Sequence, residues 1–170
     1  MNTSQIHLAL THLPVILSLA GMVMLVISLI RKIPVVTKVS YYMLMAAGLA
    51  ALPVFFSGGG AEETVEHLPG VSEGIIEQHE SLARFALAAV LASALVAFFG
   101  LIKFSYRPVW KAAQFLTLFF ALASTVLMAQ TAHLGGQIRH TEIRSASLNT
   151  NNPGDTETSE NGNEQKDDDD

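Results

Sequence analysis

The sequence predicts an all-α protein, a transmembrane four-helix bundle with both termini outside the cytoplasm and a disordered acidic C-terminal tail. Three observations carry that prediction. Half of the 170 residues are apolar and only 15% are charged, with a mean hydropathy of +0.38; a soluble domain carries about 25% charge. The charges stand in short blocks, with four long apolar stretches between them. Lysine and arginine concentrate in two of the turns that join those stretches.

The first stretch covers about residues 6–30. A helix of that length reaches about 37 Å, enough to cross a hydrocarbon core of about 30 Å. No basic residue precedes it and no small-x-small cleavage site follows, so it reads as a retained helix rather than a signal peptide. Pro14 reads as an early helix position. Arg31, Lys32, Pro34 and Lys38 mark the first break, and the second span covers about 39–56, closed by Gly58-Gly59-Gly60. A segment from Ala61 to Ser81 with six glutamates and no lysine or arginine comes next. Ser72 is a candidate N-cap within it, so the third helix is expected to start before its apolar span of about 82–104. Lys103, Arg107, Pro108 and Lys111 flank the next turn, and the fourth span covers about 109–132, ending before Gly135-Gly136.

Basic turns stay in the cytoplasm. Those between spans one and two, and between three and four, are therefore expected inside, with the N-terminus, the glutamate-rich segment and the tail outside. Tyr41, Tyr42, Tyr106 and Trp110 sit beside the basic turns, as interfacial anchors would. Ala86, Ala89, Ser93 and Ala97 form one small-residue stripe, and Ala46, Ala47, Gly48, Ala50 and Ala51 a second, both suited to close helix approach in lipid. Residues 1–144 thus form a membrane domain. Residues 145–170 hold eight acidic residues, one lysine and almost nothing apolar, a composition that cannot fold alone.

Composition excludes several functions. Without cysteine there is no disulfide, no thiolate metal site, no cysteine nucleophile and no covalent haem attachment. No basic run or aromatic-basic interleaving suggests nucleic acid. No charged residue falls near mid-membrane, which argues against a secondary transporter.

The histidines are the chemical signal. All six, His7, His12, His67, His79, His133 and His140, fall on the outer side of the predicted topology. Neutral imidazole is a common ligand for haem iron and transition metals, and a bundle builds such sites from inward side chains of different helices. His12, His79, His133 and His140 are the leading candidates, with His12 and His133 as a first axial pair and His79 as their rival. Arg84 and Arg139 are candidate partners for haem propionates. Glu63, Glu66 and His67 would share a helical face, and Glu77 and Glu80 bracket His79. Mixed sets of this kind suit zinc, copper or iron. The plainer reading is a layer of solvated polar residues, with Glu80 paired to Arg84 one turn away.

The segments HLALTHLPVIL, SGGGAEETVEHL, IIEQHESLARFA and TAHLGGQIRH, spread over about residues 5–144, resemble a bacterial family of small four-span, cytochrome-like membrane proteins catalogued as a domain of unknown function. The resemblance implies a haem- or metal-associated, redox-linked role. It points to His12, His79, His133 and His140, with Glu80 and Gly136 in support. The expectation is a b-type haem protein of the bacterial inner membrane, exchanging electrons with a quinol or a periplasmic carrier. A non-haem zinc, copper or iron protein and an accessory subunit without cofactor are the alternatives.

Overall fold

In the computed structural model, the described residues (3–65, 73–102 and 107–139) form four long helices and no strand. They are α1 (Thr3–Arg31), α2 (Pro34–Val65), α3 (Glu73–Ile102) and α4 (Arg107–Arg139). Each is long and apolar enough to cross a membrane. The protein is a multi-pass membrane protein, and the four helices form a transmembrane bundle. The tail of residues 145–170, predicted to be disordered, lies outside the described residues, as do Glu66, His67, Ser72, Tyr106 and His140.

Neighbours in sequence pack as antiparallel hairpins, α1 on α2 and α3 on α4. The hairpins join along an α2–α3 seam and a lighter α1–α4 seam, and the diagonal pairs scarcely touch. The α1–α2 turn is tight. Lys32 adopts a left-handed conformation (φ 56°), and the Ile33 amide donates back to the Ser28 carbonyl at 3.1 Å, which stops the helix as a Schellman motif does. Between them the four apolar windows bury only 28–33% of their residues inside the bundle. Ile30, Leu49, Phe56, Phe119 and many others point outward, as lipid-facing residues do and as a soluble surface rarely tolerates.

What is buried is small. Ala47, Ala51, Ala86, Ala89, Ala97, Ala113 and Ala121 fill the core, and the α3 stripe predicted from sequence is buried throughout. In the α2 stripe Ala47, Gly48 and Ala51 are buried, whereas Ala46 faces outward. At Gly48 an added Cβ would lie 2.8 Å from the Ala94 Cβ, so the closest approach of α2 to α3 requires glycine there. In lipid this packing, not a hydrophobic drive, holds the helices together.

Four sequence expectations change. The helices outrun their predicted spans: α2 continues through Gly58-Gly59-Gly60 to Val65, and α4 through Gly135-Gly136 to Arg139. Glycine costs a helix about 1 kcal/mol per residue, but a backbone at the edge of a bilayer must satisfy its own hydrogen bonds, and helix is the cheapest way. Pro14 is not an early position. It stands in the fourth turn of α1, buried, and without an N–H it leaves the Leu10 carbonyl unpaired within the helix. Tyr41 is not an interfacial anchor either. It is fully buried, its ring edge-on to Trp110 with centroids 5.6 Å apart and close over Gly100.

Polar side chains are also buried. Ser28, Ser40 and Ser124 return their hydroxyls to carbonyls of their own helices at 2.8–3.0 Å. Thr37 donates to Ser28 at 2.9 Å and accepts from the Gln114 amide at 3.3 Å. The hydroxyls of Tyr41, Ser93 and Thr117 have no hydrogen-bond partner among the described residues.

Candidate functional site

The N-terminal ends of α1 and α3 and the C-terminal ends of α2 and α4 meet at one end of the bundle. Two histidines are half-buried there, His7 on α1 and His79 on α3. Each is held by the other helix of its own hairpin. The Nδ1–H of His7 donates to the Val54 carbonyl at 3.0 Å and shares that proton with the Ser57 hydroxyl at 3.1 Å. Ser57 in turn donates to the same carbonyl at 2.9 Å. The Nδ1–H of His79 donates to the Thr131 carbonyl at 2.9 Å.

A carbonyl only accepts, so both bonds place the proton on Nδ1 and leave Nε2 with its lone pair free. A metal-ligating histidine is prepared in this way: one nitrogen fixed by an acceptor, which orients the ring and raises the basicity of the other. The accepting carbonyls already serve their own helices. They remain accessible because glycine follows four residues later, Gly58 after Val54 and Gly135 after Thr131, and a side chain at that position would lean back over the carbonyl. An added Cβ at Gly135 would sit 3.3 Å from His79 Cε1, and one at Gly58 3.7 Å from His7 Cε1. At Gly59 and Gly136 nothing lies within 4 Å. The two rings stand at the same end of the bundle, on the diagonally placed helices α1 and α3.

The other predicted residues fall elsewhere. His12 is exposed on α1. His133 is exposed on α4, its Nε2 3.0 Å from the Gln137 amide nitrogen one turn on. It borders an open cleft of about 440 Å³ with Gln78, Leu82, Ala129, Gln130 and Leu134, and that cleft holds no second histidine. Arg84 and Glu80 form an ion pair of 2.8 Å with side chains 66% and 42% exposed, the plainer reading for both. Glu63 lies on the last turns of α2 and Arg139 at the end of α4, with side chains outside the description. Glu66, His67 and His140 lie outside it altogether. The structure leaves His12 and His133, the first choice from sequence, exposed on different helices, and half-buries His7 and His79, of which the sequence singled out His79.

Helix geometry explains this difference in exposure. At 100° per residue, His12 is turned about 140° from His7, and His133 about 160° from Thr131. If His7 and Thr131 face their neighbours, His12 and His133 face away. Among the described residues no group of three or more His, Cys, Asp or Glu converges as a metal-ion cage. Compared with family models, curated proteins and solved structures, the chain matches none.

Proposed function

We propose that this protein is a b-type haem protein of the bacterial inner membrane, holding haem between histidines near the outer face and serving electron transfer. The observation that carries the proposal is the pair His7 and His79, two half-buried imidazoles on different helices, each with Nδ1–H bound to a carbonyl and no partner at Nε2 among the described residues. His7 and His79 would hold the iron of a b-type haem, for which two histidine nitrogens suffice, whereas a structural zinc site takes four ligands. The donor set favours haem over a bare zinc, copper or iron ion for that reason.

Bound there, haem would supply one-electron exchange between ferric and ferrous iron. The chain's part is to fix the rings. Val54 and Thr131 hold the tautomer, Ser57 shares the His7 proton, and the glycines at 58, 59, 135 and 136 leave backbone that a flat macrocycle can approach. Arg84 is engaged by Glu80, so a haem propionate would compete with that carboxylate.

The positive-inside pattern puts the histidine end outside. A single site near one face suits exchange with a quinol or a periplasmic carrier, and it does not suit a wire across the bilayer.

The test is the visible spectrum of the full chain in mild detergent, oxidised and then reduced. A Soret band that shifts on reduction, at one haem per chain, is the expected result. A protein that stays colourless after haemin is added overturns the proposal. Stoichiometric zinc or copper in its place supports the non-haem alternative.

A further inference from the structure

The hydrogen bonds of His7 and His79 are related by a numerical rule. His79 follows His7 by 72 residues (79 − 7), and Thr131 follows Val54 by 77 (131 − 54). These two shifts are fixed by the bonds alone, before any core residue is compared.

Applied to the helices, they superpose the interior. The shift of 72 carries the buried α1 residues Pro14, Ser18, Gly21, Leu25 and Ser28 onto Ala86, Val90, Ser93, Ala97 and Gly100, all buried in α3. The shift of 77 carries Thr37, Ser40, Leu44, Ala47 and Ala51 of α2 onto Gln114, Thr117, Ala121, Ser124 and Met128, all buried in α4. It also carries Gly58 onto Gly135, each the glycine against a histidine ring, and Gly59 onto Gly136, each with open space around it. The outward positions correspond too: exposed His12 falls on exposed Arg84, and exposed Phe56 on exposed His133.

We infer that the bundle is one helical hairpin used twice, related by a twofold axis along the bundle, and that its ligand lies across that axis with one imidazole from each copy. Three pairs of residues locate the relation. Thr37 and Gln114 are counterparts and touch each other, as residues on a twofold axis must. The α1–α4 contact of Ser18 with Ser124 has as its image the α3–α2 pair Val90 and Ala47, members of one packed cluster. At the other end the counterparts His7 and His79 each bond through Nδ1 to a carbonyl of the second helix of their own hairpin, at 3.0 and 2.9 Å.

The departures have physical causes. The α2–α3 seam is closer because Gly48 meets Ala94, where the other copy has the larger Thr125 and Met22. Ser57 supports His7 where its counterpart is Leu134.

The inference deepens the haem reading by naming the ligands and requiring them to act alike. The test is haemin titration of the full chain in detergent, read by the spin-state bands. The wild type should give a low-spin spectrum of two imidazoles. His7→Gly and His79→Gly should each give a high-spin spectrum to the same extent, each restored by free imidazole, and the double variant should bind no haemin. His12→Ala and His133→Ala should match the wild type.

A His7→Gly protein that stays low-spin while His79→Gly does not, or the reverse, overturns the twofold site and leaves the haem reading standing. Absence of wild-type haemin binding overturns the haem reading. In that case cross-linking in native membranes decides the rest, since the chain has no other cysteine. His7→Cys/His79→Cys should close with a short bifunctional maleimide, and Ser18→Cys/Ser124→Cys and Ala47→Cys/Val90→Cys should close with equal yield. Failure of the first pair overturns the shared site, and unequal yields in the other two overturn the repeat.

Discussion

Gly135 and Gly136 are adjacent in α4 and differ in one respect, the imidazole beside the first. Replacing a helical glycine by alanine adds helix propensity, about 0.5–1 kcal/mol in a helix interior. At Gly136 the new methyl group meets nothing within 4 Å, so Gly136→Ala should show that gain in full. At Gly135 the methyl group would stand 3.3 Å from His79 Cε1 and 3.6 Å from Nδ1. The ring must give way by a few tenths of an ångström, yet it is tied to Thr131 at 2.9 Å. Weakening that bond costs a part of the roughly 1 kcal/mol that such a bond contributes. Gly135→Ala should therefore be close to neutral and lie about 0.5–1 kcal/mol below Gly136→Ala. Unfolding of both variants in one mixed-micelle titration measures the gap. Equal stabilisation of the two would refute the reasoning, because it would mean that His79 is not seated where the hydrogen bond puts it.

Two further predictions concern the bundle. Gly48→Ala places a Cβ 2.8 Å from that of Ala94, both on rigid backbone, and should cost about 1–3 kcal/mol as overpacking does; an unchanged midpoint in the same titration would show that the α2–α3 seam can widen freely. Thr117→Val removes a buried hydroxyl without a hydrogen bond and keeps its shape, so it should be neutral or mildly stabilising. A loss above about 2 kcal/mol would mean that an internal water or Tyr41 satisfies the group.

Hydropathy and charge made the four spans and their pairing legible, because lipid imposes length and apolarity on any crossing helix. What they could not convey was facing. Each helix is apolar on nearly every side, so no polar face marks which side is core, as it would in a soluble bundle. His12 beside Pro14 therefore looked as well placed as His7, and Tyr41 looked like an anchor beside Tyr42. The ends were misjudged for a related reason: glycine runs terminate helices in water more readily than at a membrane edge. The sequence does carry one signal of facing. Gly-Gly recurs at 58–59 and 135–136, and the endings SLIRK and GLIKF recur at residues 28–32 and 100–104, which places His7 and His79 in register.

The two-residue link at Lys32 and Ile33 also governs how the protein is made. Arg31, Lys32 and Lys38 are crowded onto or beside it, with no slack to let one helix slide without the other. Pulling three such charges through hydrocarbon would cost about 8–10 kcal/mol even on the mildest insertion scale. Once the first hairpin has entered, flipping it over is closed as a route, and the second hairpin must be threaded against a partner whose polarity is already settled.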